Sequence, residues 1–226
     1  MLGIVPGGCT EPRRAVPLPN DMKLASLIRR IRVGPPIVVV SGLPRSGTSM
    51  MMRMLEAGGV PIVADGQREA DVSNPRGYFE LEAVKDLDKP GRPLPWLPQA
   101  RGRAVKIISF LLTWLPEDYD YQVIFMDRDF DEVLASQQQM LERRGEAPAD
   151  AAREAAAVRA TYESHLTQVR RFLGVRSCFT TLTVSYRDAV ADPAATAERV
   201  AAFLGRRLDT TAMARAVEAS LYRNRA

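Results

Sequence analysis

The stretch Gly42-Leu43-Pro44-Arg45-Ser46-Gly47-Thr48-Ser49 holds the residue types and spacing best suited to chemistry in this sequence. It follows the apolar run Ile37 to Ser41 and opens a helical pattern over about Gly47 to Ala57. Glycines and hydroxyl residues at a strand-to-helix turn let backbone N–H groups converge where the helix dipole is positive, which favours a bound phosphate or related anion. Measured against the pattern G-x-x-x-x-G-K-[ST], Gly42 and Gly47 keep the separation and Ser49 is the terminal hydroxyl, but Thr48 stands in the lysine position. The nearest cation is Arg45, inside the loop. A nucleoside triphosphatase wants that lysine on its β and γ phosphates and a carboxylate-held Mg²⁺. A loop whose cation is Arg45 suits transfer of a less charged group, with the cation neutralising a leaving phosphate.

Further candidates lie along the chain. Arg128 ends an apolar strand in Phe-Met-Asp-Arg-Asp-Phe-Asp-Glu-Val-Leu-Ala-Ser-Gln, and Ser136 follows eight residues later on a helical pattern. A strand-end arginine can fork onto a phosphate and a serine on the next helix can add a hydroxyl, the alternative being a surface ion pair of Arg128 with Asp129 or Asp131. Lys106 sits on the strand pattern Ala104 to Ile108. A group transfer to a hydroxyl or amine needs a base within hydrogen-bond reach of it. Asn-Pro-Arg-Gly-Tyr-Phe-Glu-Leu-Glu offers Glu80 and Glu82, with Glu80 preferred; Asp65 and Asp71 lie in the same stretch, and Tyr78 is placed to line a pocket or cover the core. His165, the single histidine, falls on a helical stripe between Tyr162 and Val169 and reads as a packed side chain rather than a base.

The elements that must position these groups alternate. Strand patterns at Ile37–Ser41, Val60–Val63, Ala104–Ile108, Gln122–Met126 and Phe179–Val184 are separated by helical patterns, including Ala149–Leu173, Ala194–Leu204 and Thr211–Leu221. That order predicts an α/β fold, a P-loop-type parallel sheet with helices on both faces in a three-layer sandwich. The long excursion Asp65 to Arg103 is expected to be functional. Residues 1–36 read as a tail with Pro6, Pro12, Pro17 and Pro19 and one short basic helix near Met22 to Arg32, and residues 37–226 as one domain.

Composition excludes several classes. With 46% hydrophobic and 26% charged residues in 226, the chain is too apolar for disorder, and no stretch is long enough to span a bilayer. Cys9 and Cys178 have neither disulfide-framework nor metal-ligand spacing, so no metal site is expected, and a reducing cytoplasmic setting fits, as does the absence of a signal-like apolar core. A net charge of +4 and a pI near 9.3 come mostly from arginines spread along helices without interleaved aromatics, so no nucleic-acid partner is expected.

Taken with their surroundings, these motifs resemble the sulfotransferases that use 3′-phosphoadenylyl sulfate (PAPS). Their 5′-phosphosulfate loop reads Lys or Arg, small, Gly, Thr, Thr or Ser, as Arg45-Ser46-Gly47-Thr48-Ser49 does here; several bacterial members carry Pro-Arg-Ser-Gly-Thr, here Pro44 to Thr48. Arg128 and Ser136 match their 3′-phosphate motif. Val-Ser-Tyr-Arg-Asp-Ala-Val-Ala-Asp-Pro and the Phe-Leu-Gly ending are similar to a family stretch that places Tyr186 against the adenine, with Arg187 where a Glu is usual. Ala-Val-Lys-Ile-Ile-Ser resembles a strand carrying Lys and, two residues later, His; Lys106 fits and Ile108 occupies the histidine position. The resemblance covers about Ile37 to Leu204 and implies in-line transfer of a sulfuryl group from PAPS to a hydroxyl or amine of a small-molecule or glycan acceptor. Arg45 and Lys106 would stabilise the departing 3′,5′-ADP, Glu80 would act as base, and Arg223 would close over the 3′-phosphate. Two alternatives stand beside it: a P-loop kinase or NTPase with Asp127 holding Mg²⁺, and a nucleotide-binding protein without chemistry.

Overall fold

The computed structural model describes residues 31–32, 34–66, 79–145 and 151–217. Five strands form one wholly parallel sheet: β1 (Ile37–Gly42), β2 (Ile62–Val63), β3 (Ala104–Lys106), β4 (Tyr121–Asp127) and β5 (Phe179–Ser185), in the spatial order β2-β3-β1-β4-β5. The helices are α1 (Thr48–Ala57), α2 (Trp96–Ala100), α3 (Phe130–Arg144), α4 (Ala151–Val175), α5 (Tyr186–Ala191), α6 (Pro193–Leu204) and α7 (Thr210–Arg215). Two 3₁₀ segments, Glu82–Asp86 and Ser109–Trp114, lie before α2 and after β3.

All six residues of β1 are buried, as a central parallel strand covered on both faces requires. Side-chain alternation divides the core in two. Ile37, Val39, Val105, Tyr121, Val123 and Phe125 pack with the α4 stripe Tyr162, Leu166, Val169 and Leu173. Val38, Val40, Ala104, Ile124 and Met126 pack with Met50, Met51 and Met54 of α1, Val200 of α6 and Met213 of α7. Helices therefore cover both faces, and the expected α/β three-layer arrangement is the one observed. Each fully buried Leu, Val or Met contributes roughly 1.5–3 kcal/mol, so the paired cores hold β1 and its carboxyl end firmly. From β1 the chain runs to β2 and β3 on one side and to β4 and β5 on the other. Such a reversal opens a crevice beyond the carboxyl ends of the strands that flank it.

Several expected boundaries shift by a residue or two, and the structure adds elements at the places where the sequence carries no full helical period. The expected strand Val60–Val63 is reduced to Ile62–Val63, and 3₁₀ segments form at Glu82–Asp86, within the excursion Asp65 to Arg103, and at Ser109–Trp114, soon after the strand that carries Lys106. α2 and α5, of five and six residues, are too short to show a period. Asp192 caps α6 by accepting from the Ala195 N–H at 2.9 Å, Pro193 is its first residue, and Gly205 ends it at φ 63°, residue types suited to each of those positions. Of the N-terminal tail only residues 31–32 and 34–36 are among the described residues, and the end of the helix expected over Thr211–Leu221 lies outside them.

Candidate functional site

The loop between β1 and α1 holds a strained backbone. Gly47 is the N-cap of α1 at φ 96°, no side chain caps the helix, and no acidic residue stands in its first turn. The first-turn amides lie at the positive end of the helix dipole, a position that favours an anion. Arg45 is one of only two non-glycine residues with positive φ (68°) among the described residues. Such a backbone costs on the order of 1–3 kcal/mol and persists only where the surroundings fix it. Two long-range bonds do so. Arg45 Nε donates to Ser136 Oγ of α3 at 3.0 Å, and Arg128 Nη1 donates to the Arg45 carbonyl at 3.0 Å. Pro44 is half-buried at the turn. Thr48 and Ser49 begin α1, and Ser46 is buried with its Oγ lacking a hydrogen-bond partner among the described residues.

Arg128 leaves the end of β4 and is almost wholly buried. Its Nε donates to Glu132 Oε2 at 2.9 Å, and its guanidinium lies 4.3 Å from the centre of the Tyr186 ring. The alternative, a surface ion pair of Arg128 with Asp129 or Asp131, is not the arrangement found. Asp129 instead caps α3, accepting from the Asp131 N–H at 2.8 Å, and Asp131 pairs with Arg159. Tyr186 is buried as well, and its ring packs against Gly47 so closely that a Cβ there would stand 2.4 Å from Cδ2. Arg45, Gly47, Arg128, Ser136 and Tyr186, drawn from three separate motifs, thus form one junction. Glu132, which sequence reading passed over, is its hidden member: its side chain is 1% exposed and also accepts from Arg187 Nη2 at 3.4 Å. The signal was present in the i,i+4 spacing from Arg128 to Glu132.

A second pair stands at the neighbouring strand end. Lys106 is paired in register with Val40 of β1, which sets it level with the start of the loop. Its Nζ, on a side chain 8% exposed, lies 3.3 Å from Glu80 Oε1. Phe79, the other non-glycine residue of positive φ (51°), immediately precedes Glu80. The alternative carboxylates are engaged elsewhere. Glu82 pairs with Lys85 at the surface, and Asp65 accepts from the Glu82 N–H at 2.5 Å, capping the 3₁₀ segment. Asp71, Tyr78 and Arg223 lie outside the described residues.

His165 is part of a different contact. Its ring stacks on Phe110 with centroids 3.8 Å apart, Nε2 lies 2.9 Å from the buried Ser109 Oγ, and burial pushes its pKa below the ordinary value. It ties α4 to the 3₁₀ segment, as a packed helical histidine. Asp127, the carboxylate a magnesium site would need, follows Met126 on β4 and so alternates away from the α1 face. Its Oδ1 accepts from Arg170 Nη2 of α4 at 3.1 Å. A cleft of about 450 Å³ opens beyond the ends of β4 and β5, lined by Arg128, Glu132, Ser185 and Arg187 among others. Among the described residues no group of His, Cys, Asp or Glu side chains is arranged to hold a metal, and no helix is long and apolar enough to cross a membrane.

The chain is similar in fold to the sulfotransferase domain of the olefin synthase from Synechococcus PCC 7002, at 19% identity over 84% of this chain and 80% of that one, with a TM-score of 0.52. A sulfotransferase from Alicyclobacillus acidocaldarius aligns at 17% identity over 78% and 85%, with a TM-score of 0.47. No curated protein matches the chain in sequence. The family model of the sulfotransferase domain matches residues 35–225, a span that contains the loop, the Lys106–Glu80 pair and the Arg128 junction, and the chain belongs to that family.

Proposed function

We propose that this chain transfers a sulfuryl group from PAPS to a hydroxyl or amine of a small-molecule or glycan acceptor, releasing 3′,5′-ADP. The observation that carries the reading is the hydrogen-bonded junction of Arg45, Arg128 and Ser136 at the uncapped start of α1. The residues present fit the donor: a glycine N-cap at the start of α1, a buried Ser46 hydroxyl without a partner among the described residues, and cations at the ends of β3 and β4, the two strands that flank β1. PAPS, when bound, supplies a sulfuryl group on a phosphate leaving group, open to in-line displacement at sulfur. The loop Pro44 to Ser49 and Arg45 would hold its 5′ end, and Arg128, Ser136 and Tyr186, with Arg223, its 3′-phosphate and adenine side. Lys106 brings a positive charge shielded from solvent, where it acts more strongly than in water. Glu80, 3.3 Å from Lys106, is placed to take the proton from the acceptor hydroxyl or amine as that atom attacks.

Calorimetric titration tests the reading. The protein is expected to bind 3′,5′-ADP without metal, at least tenfold more weakly in Arg128→Ala, since a charge-assisted phosphate contact is worth about 1.5–3 kcal/mol. Release of 3′,5′-ADP from PAPS should then require an acceptor. Binding of ATP with Mg²⁺ alone would instead favour a kinase, and binding without turnover over a panel of hydroxyl and amine acceptors a nucleotide-binding protein without chemistry.

A further inference from the structure

The 3₁₀ segment that follows Lys106 has a sorted surface. In a 3₁₀ helix residues three apart eclipse one another, so Ser109–Trp114 with its flanking residues forms edges at i, i+3 and i+6. One edge, Ser109, Leu112 and Leu115, is buried. Another is Ile108, Leu111 and Trp114, of which Ile108 is 41% and Trp114 52% exposed, while Leu111 is half-buried and packs in part against the α4-side core. These three apolar side chains in file extend over about 12 Å at the usual rise of about 2.0 Å per residue. Ile108 and Trp114 are two of the four large hydrophobic residues exposed among those described.

This edge directly follows the strand that carries Lys106. The Ile107 N–H donates to the Val40 carbonyl at 3.0 Å, prolonging the β3 ladder by one residue. Ile107 enters the α4-side core, so alternation puts Ile108 on the same face as Lys106. The segment is also fixed from behind: Ser109 is tied to His165, Phe110 stacks on the same ring, and Leu112 and Leu115 enter the core. A rigid apolar edge leading to an ion pair suits a ligand with a polar reactive end and an apolar body.

We propose that Ile108, Leu111 and Trp114 form the acceptor subsite, and that the acceptor carries its hydroxyl on an extended alkyl chain. The inference rests on the sulfuryl-transfer reading of the Lys106–Glu80 pair. A file one side chain wide matches a linear chain rather than a broad ring system, and the indole Nε1–H of Trp114 is the one hydrogen-bonding group on its three side chains. The hydroxyl lies at Glu80 and loses its proton there as its oxygen bonds to sulfur and the phosphate oxygen departs; the chain runs along the edge toward Trp114.

The test uses the full chain with PAPS and the primary alcohols from 1-butanol to 1-decanol, after binding of 3′,5′-ADP has been measured. kcat/KM is expected to rise about two- to fourfold per methylene, as burial of each CH₂ on a partly exposed surface predicts. Ile108→Ser and Trp114→Ser should flatten that rise while leaving 3′,5′-ADP affinity and melting temperature unchanged. A flat series, or no turnover of any alcohol, in a protein that binds 3′,5′-ADP overturns the alkyl acceptor and leaves sulfuryl transfer standing. Absence of 3′,5′-ADP binding overturns both. A dimer in sedimentation that Trp114→Ser dissociates would assign the edge to a second copy of the chain and overturn the acceptor subsite.

Discussion

Glu80 and Glu132 are both carboxylates set against a buried cation, and their surroundings give them opposite tasks. Glu80 keeps 30% of its side chain exposed and contacts Lys106 through one oxygen, so it can meet an incoming acceptor. Glu132, 1% exposed, divides its oxygens between Arg128 and Arg187 and can only hold them. Glu80→Gln is therefore expected to lower kcat by about 10²- to 10⁴-fold, the range for loss of a positioned base, with 3′,5′-ADP affinity within threefold of the parent by calorimetry. An unchanged kcat would remove Glu80 from the chemistry. For Glu132→Gln the expected effect is on stability. Breaking a buried pair costs about 3–5 kcal/mol, and because glutamine keeps hydrogen-bonding capacity the low end applies. For a chain of this size that is a fall of about 6–12 °C in melting temperature, measured calorimetrically. A melting temperature within two degrees of the parent would show that Arg128 does not depend on this carboxylate.

Between elements, the decisive contacts are those that no local pattern announces. The strand-loop-helix opening, the strand ending at Arg128 and the capped α6 were legible because glycine, proline and apolar spacing act over a few residues. That Tyr186 lies against Gly47 was not legible, because it depends on β4 separating β1 from β5 in the sheet. Gly47 is consequently doubly constrained, by φ 96° and by the ring 2.4 Å from any added Cβ. Gly47→Ala should displace the loop or the tyrosine and weaken 3′,5′-ADP binding at least tenfold, with a lower melting temperature; a fully retained affinity would show that the loop adapts. The contact between α4 and the 3₁₀ segment carries a pH dependence of known sign. Burial lowers the His165 pKa below its unfolded value of 6.5, so the unfolded chain binds the proton more readily. Stability from this group is present above that value and is lost as pH falls through it toward the folded pKa. His165→Gln should make the decline in melting temperature between pH 7 and pH 5 shallower; an unaltered slope would place the acid sensitivity elsewhere.

At the scale of the molecule, two P-loop chemistries compete for one architecture, and placement of charge separates them. The sheet order was anticipated only as a class, because parallel strands with helical crossovers admit several orders and the sequence names none. The order found puts β1 between β3 and β4, so that Lys106 and Arg128 flank the loop from two sides. A kinase would instead need a carboxylate on the α1 face to hold Mg²⁺, and Asp127 turns to α4. A ligand that binds only the folded state raises its stability by RT ln(1 + [L]/Kd), about 2.7 kcal/mol at a hundredfold excess over Kd. For a chain of 226 residues that is a rise of roughly 5–10 °C. The expected result is that 3′,5′-ADP produces this rise equally with Mg²⁺ or EDTA, because the proposed site meets it with arginine and lysine. ATP, which lacks the 3′-phosphate, should produce a much smaller one even with Mg²⁺. A rise with ATP that EDTA abolishes would mean that metal, rather than Arg45, Lys106 and Arg128, neutralises the phosphates, and the sulfuryl-transfer reading would fall with it.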